Sequence, residues 1–129
     1  MGRVALDADV LIAFLDPADA QHERAVEVLG AHLVRGDDVV IAATVYAEVI
    51  VRPLQYGTDT KVDEFLRAIG AKVVDVDRPL ARRAAELRAR HAALRLPDAH
   101  SLATALSSGA ELVTFDRGLQ RVADGESQG

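Results

Sequence analysis

Four acidic residues, Asp7, Glu48, Asp98 and Asp116, are scattered along the chain, yet each stands where an apolar run gives way to a turn or a helix begins. Asp7 lies between Val4-Ala5-Leu6 and Val10-Leu11-Ile12, where a carboxylate buried without a partner would be costly. Asp116 closes Leu112-Val113-Thr114-Phe115, Asp98 follows Pro97, and Glu48 is flanked by Ala47, Val49 and Ile50. Carboxylates a few Å apart do not all ionise without a counter-charge. A hard divalent cation supplies one: Mg²⁺ takes oxygen ligands at about 2.0–2.1 Å and keeps waters and phosphate oxygens in its shell. Two such ions can activate a water and stabilise the leaving oxygen of a phosphodiester. Zinc has less to bind, since cysteine is absent and His22, His32, His91 and His100 share no ligand spacing. Each acid also has a plain structural reading. Asp98 and Asp116 are good helix caps and Glu48 could be solvated, so the signal lies in the set rather than in any one member.

Whether the acids meet depends on the elements that carry them. Arg3 to Leu6 is β-like and ends at Asp7; Val10 to Leu15 starts a short helix stopped by Asp16-Pro17. Ala25, Val26, Leu29 and Leu33 fall at helical spacing within residues 21–34, and Gly36 stops that helix. Val39 to Ala42 reads as a buried strand, and Thr44 as the N-cap of a helix that Pro53 bends or ends. A helix over 58–69 closes at Gly70, and Lys72 to Val76 is a third strand. Leu80, Ala84, Leu87, His91 and Leu94 form one stripe after Pro79, and Pro97-Asp98 opens the next helix. Glu111 to Phe115 is a fourth strand, after which Asp116 starts a last short helix.

Strands that are apolar on both faces and alternate with helices predict an α/β protein, a three-layer αβα arrangement around a parallel sheet of four or five strands. In such sheets ligands bind at the C-terminal strand ends, where all four acids would converge. The 129 residues suit a single domain over residues 1–123, with a polar, frayed tail from Asp124 to Gly129. Nothing resembles a signal peptide or a membrane span, and the lack of cysteine suits a reducing compartment, so a soluble cytoplasmic protein is expected. The net charge of −5 argues against a sequence-reading nucleic-acid binder, but not against a nuclease whose cations sit where the phosphate must lie.

Four segments taken together resemble the motifs of the PIN-domain nucleases. They are Val4-Ala5-Leu6-Asp7-Ala8-Asp9-Val10-Leu11-Ile12, Ala43-Thr44-Val45-Tyr46-Ala47-Glu48-Val49, Leu96-Pro97-Asp98-Ala99 and Val113-Thr114-Phe115-Asp116. Their order, spacing and total length match the VapC-type toxins of bacterial toxin–antitoxin pairs over nearly the whole chain. The resemblance implies Mg²⁺ or Mn²⁺ dependence and endonucleolytic cleavage of RNA, with Asp7, Glu48, Asp98 and Asp116 as metal-binding acids. It further implies Thr114 as a supporting hydroxyl, Thr44 as the small hydroxyl residue of the second motif, a homodimer, and a cognate antitoxin that blocks the acidic cleft. Asp9 departs from the family, where Asn, Ser or Thr is usual; the preferred reading is an N-cap for the first helix, the other a fifth charge near the metal.

Six arginines, Arg78, Arg82, Arg83, Arg88, Arg90 and Arg95, fit a solvated face better than an RNA track, whereas Arg117, beside Asp116, is the better candidate for phosphate contact. Tyr46, Val49, Ile50 and Leu54 form an apolar patch that is core or dimer interface. The rival readings are a haloacid-dehalogenase-like phosphatase, on Asp7-Ala8-Asp9-Val10, and a non-catalytic receiver or binding module. Both want a lysine by the phosphate, and the chain has only Lys61 and Lys72.

Overall fold

Val4 and Leu6 face one side of strand β1 (Arg3–Leu6) and Ala5 the other, and the two cores of the protein follow from that alternation. The computed structural model describes residues 2–128. After β1 come α1 (Ala8–Leu15), α2 (His22–Arg35), β2 (Asp38–Ala42), α3 (Ala43–Tyr56) and α4 (Asp59–Ala68). Then follow β3 (Lys72–Val74), α5 (Arg78–Arg90), α6 (Leu96–Ser107), β4 (Glu111–Val113) and α7 (Arg117–Gln128). The four strands form a wholly parallel sheet in the order β3-β2-β1-β4, with Val4 opposite Val39 and Glu111, and Ile41 opposite Val73.

On one face Val4, Leu6, Val39 and Ile41 pack against Leu11 of α1, Leu29 of α2, Val45 and Val49 of α3, and Leu66 of α4. On the other, Ala5, Val40 and Leu112 pack against Leu87 of α5, Leu102 of α6 and Leu119 of α7. Helices on both faces of a parallel sheet give the expected three-layer αβα architecture, here with four strands among the described residues. No helix is long and apolar enough to cross a membrane among the described residues.

The strand order determines where a ligand can bind. The chain builds β1, β2 and β3 outward in one direction, then returns to place β4 on the opposite side of β1. A crevice opens at such a reversal, outside the C-terminal ends of the two strands that flank it. The Asp7 N–H donates to the Val113 carbonyl at 2.9 Å, locking β1 and β4 together at that point.

Five local expectations give way. β3 and β4 end at Val74 and Val113, each two residues short of the expected strand, because their last pairing partners are Ala42 of β2 and Leu6 of β1. Thr44 does not cap α3: the helix starts at Ala43 with Ala42 as its cap, and the Thr44 hydroxyl is buried without a partner. The β-to-α turn is so short that Thr44 falls inside the first turn, and the N–H groups two and three residues on from it are already taken up by the helix. Pro53 does not end α3, which runs on to Tyr56 and is closed by Gly57 in the left-handed region, φ 72°. The polar stretch from Asp124 is helical as far as Gln128, because Glu126 accepts from Arg90 and pairs with His91, both at 2.8 Å, and so pins α7 to the end of α5. Gly129, the last residue of the expected frayed tail, lies outside the described residues. Of the apolar patch on α3, Val49 and Ile50 belong to the core, Tyr46 is half-buried and donates to Asp63 at 2.6 Å, and Leu54 is exposed.

Candidate active site

Asp7 is the N-cap of α1, with its Oδ1 accepting from the Ala8 N–H at 3.0 Å. It is buried, 8% exposed, and two further hydroxyls meet its charge: Ser101 Oγ donates to Oδ1 at 3.0 Å and Thr114 Oγ1 to Oδ2 at 2.8 Å. These donors come from α6 and from the end of β4, so the carboxylate is fixed in place by elements about a hundred residues away in sequence. Thr114 also accepts the Asp116 N–H at 3.1 Å, which couples Asp7 to Asp116 through one hydroxyl. Asp116 in turn caps α7, accepting from the Leu119 N–H at 3.0 Å.

Asp9 is not the cap of α1, a place taken by Asp7. It sits in the first helical turn, where its carboxylate accepts from the Val10 N–H at 2.7 Å and from the Phe115 N–H at 3.1 Å. It therefore clasps the loop after β4 against α1. Burial, and after it the charge of Asp7, pushes the Asp9 carboxyl pKa above its ordinary value despite those bonds.

Asp98 lies in the first turn of α6, and Glu48 one turn into α3, on the same side as Thr44. One cleft of about 300 Å³ is lined by Asp7, Asp9, Glu48, Asp98 and Asp116 together with Ile12, Arg95 and Pro97. The four acids named from sequence thus face one space at the switch point of the sheet. Burial raises the Glu48 carboxyl, and the charges of Asp7 and Asp98 add to that effect. The cleft holds more negative charge than its one cation, Arg95, can offset; Arg95 is itself engaged by Asp98 at 3.3 Å.

Sequence reasoning misses two of these groups. Arg95 reads there as part of a solvated arginine face, although its position three residues before Asp98 across a helix start is the spacing of a local ion pair. Ser101 is one turn beyond Asp98 on α6, a spacing that could have drawn it toward the acids. Two expected groups are not brought in: Arg117 is exposed and does not line the cleft, and the Thr44 hydroxyl makes no contact there.

Among the described residues, no three acidic or histidine side chains stand close enough to form a ready-made ligand cluster. A hard divalent ion would therefore have to draw part of its shell from water and substrate oxygens, as such ions commonly do. The acidic side chains lining the cleft offer carboxylate oxygens, and burial, then the charges of neighbouring acids, raises the carboxyls of Asp9 and Glu48. The residues fit a hard divalent ion.

Against known families, residues 4–125 match the model of the PIN domain. The chain belongs to the PIN-domain family. A search of curated proteins gave no match. Among solved structures, this PIN domain is similar to a toxin–antitoxin complex from Klebsiella pneumoniae, at 25% identity over 88% of this chain and 86% of that one, TM-score 0.70. It is also similar to VapC20 of Mycobacterium tuberculosis, described as a sarcin-ricin loop cleaving toxin, at 18% identity over 92% and 93% of the two chains, TM-score 0.76. A third is FitAcB from Neisseria gonorrhoeae, at 24% identity over 94% and 93%, TM-score 0.71. The PIN-like fold and the resemblance to VapC-type proteins expected from the four motifs agree with these matches.

Proposed function

We propose that this PIN domain is a metal-dependent endoribonuclease and the toxin of a toxin–antitoxin pair. The observation that carries the reading is the meeting of Asp7, Glu48, Asp98 and Asp116 in one cleft, with Asp7 buried and braced by Ser101 and Thr114. Asp7 and Asp116, with Asp98 and Glu48 completing the set, are the residues that would hold Mg²⁺ or Mn²⁺. When bound, such an ion supplies Lewis acidity toward a phosphodiester and an acidified water.

The chain's own part is positioning. Ser101 and Thr114 fix the Asp7 carboxylate, Thr114 carries that order on to Asp116, and Asp9 holds the loop between them. Glu48, whose carboxyl is raised, is the group best suited to accept a proton from attacking water. In-line attack leaves a 5′-phosphate and a 3′-hydroxyl. Arg95 at the rim is the cation nearest the phosphate path, with Arg117 further out on α7.

A cognate antitoxin, covering the acidic cleft with a basic side chain, is the natural protein partner, and the toxin–antitoxin relatives support it. A homodimer is supported by the exposed apolar residues Val51, Leu54 and Tyr56 on α3. A cysteine-free chain suits the cytoplasm. The phosphatase and receiver readings lose their support, since Lys61 lies on α4, Lys72 opens β3 at the far end of the sheet, and neither lines the cleft.

The test is purified protein with Mg²⁺ or Mn²⁺ against total RNA, with EDTA and Asp7→Asn controls and the ends mapped. Cleavage only with metal, lost in Asp7→Asn and leaving 5′-phosphates, is expected. Turnover that survives EDTA or Asp7→Asn overturns the reading.

A further inference from the structure

A second cavity, about 330 Å³, adjoins the acidic cleft and shares Asp98 and Asp116 with it as a common wall. The turn between α5 and α6 forms one side of it and the first turns of α7 the other, and nothing in the proposed hydrolysis uses it. Its apolar surface comes from Ala93, Leu94, Leu119 and Val122. Arg121 on its wall is exposed and has no ion-pair partner among the described residues, whereas His91, which also lines the cavity, pairs with Glu126. The nearby arginines differ: Arg95 is taken by Asp98 and Arg90 by Glu126.

Gly118, which lines the same cavity, stands beside both Arg121 and Asp116: a Cβ there would fall 3.3 Å from Asp116 Oδ1 and 4.0 Å from Arg121 Nη2, so a side chain would crowd both.

Resting on the nuclease reading, we infer that this cavity receives the nucleotide next to the scissile bond and that Arg121 binds its phosphate. A strand that crosses the cleft carries a negative charge on every nucleotide, and cations held by the four acids serve only the phosphate being cut. The next phosphate would face the same acids without relief unless a free cation stands beside them. Arg121 is that cation, and its planar donors suit phosphate. The apolar side chains offer a surface for the base or ribose.

The experiment follows cleavage of a single-stranded RNA oligonucleotide by the full chain with Mn²⁺. Losing one charge-assisted phosphate contact should let Arg121→Gln raise KM about tenfold with kcat within about twofold. Arg121→Lys should recover most of the loss, and Arg67→Gln on α4, a control for net charge, should change neither constant. In a Glu48→Gln background with Mn²⁺, which loses the proton acceptor but keeps Asp7, Asp98 and Asp116 for the cation, Arg121→Gln should weaken binding of the same labelled oligonucleotide and lower the slope of log affinity against log salt by about 0.7.

If wild type cleaves while Arg121→Gln leaves KM and salt slope unchanged, or lowers kcat alone, this inference falls and the nuclease reading stands. If wild type neither cleaves nor binds RNA, both fall together.

Discussion

The parallel sheet has a cluster of charge at each end, and the two are built on opposite plans. At the N-terminal end of the strands, Asp37 is buried and fully partnered: it accepts from Arg35 and the Gly2 N–H and pairs with His32 at 2.8 Å. Arg35 and then His32 hold its carboxyl far below the ordinary carboxylate range. At the C-terminal end, five acids line one cleft with Arg95 alone, and the carboxyls of Asp9 and Glu48 are pushed up by burial and by the charges of neighbouring acids. The same residue type joins the fold where cations are built in and becomes available for chemistry where they are withheld.

The difference gives the signs of the pH dependence. Asp37 contributes stability that is present above the ordinary Asp pKa and is lost as pH falls through its lowered value. Asp9 and Glu48 act the other way: their folded carboxyls hold protons more tightly, so the metal-free cleft gains stability as pH falls through the raised range and loses it as pH rises.

The strongest way to break the comparison is Asp7→Asn. RNA cleavage should drop to background while the melting temperature hardly moves, because Asn can still accept from Ser101 or the Ala8 N–H. A large fall in melting temperature would make Asp7 a structural acid like Asp37. Next is Ser101→Ala, which removes the Asp7 brace. Mn²⁺ affinity should weaken about 10–100-fold, as for other groups that orient a metal ligand, with a stability cost of about 1 kcal/mol. Unchanged affinity would mean that Asp7 needs no such brace.

Asp37→Asn should reverse the pattern, lowering the thermal midpoint more than Asp7→Asn does while each folded molecule cleaves at the wild-type rate. The smallest effect belongs to Glu48→Gln. Metal-free stability at pH 7 should rise by less than about 1 kcal/mol, since the group is largely exposed, and the gain should vanish at a pH where Glu48 is protonated in wild type. A loss of stability at pH 7 would show that the cleft charges are not in conflict.

How much of this can be read from sequence depends on how local the determinant is. Strand alternation around Val4, Ala5 and Leu6 fixes both faces of the sheet, and with short apolar strands and helix stops such as Gly36 it suffices to place Asp7 directly after β1; Asp116 lies three residues past β4, at the start of α7. The roles of Asp9 and Ser101 depend on which loop comes to lie against which helix, whereas the Arg95–Asp98 pair is local. The Phe115 N–H that engages Asp9 is 106 residues away, and the Ser101 hydroxyl that engages Asp7 is 94 away. Thr44 fails as a cap for a local reason, a helix that starts two residues earlier with Ala42 as its cap, and the C-terminal polar run becomes helix through the distant pairing of Glu126 with Arg90 and His91.

The central claim, that the cleft acids share a cation, is met most directly by calorimetric titration of the full chain with Mn²⁺ at neutral pH and again near pH 5. Saturable binding that weakens at the lower pH as protons compete for the raised carboxyls, and disappears in Asp7→Asn while surviving in Asp37→Asn, is the expected result. Binding that Asp7→Asn leaves intact, or no binding at either pH, would contradict it.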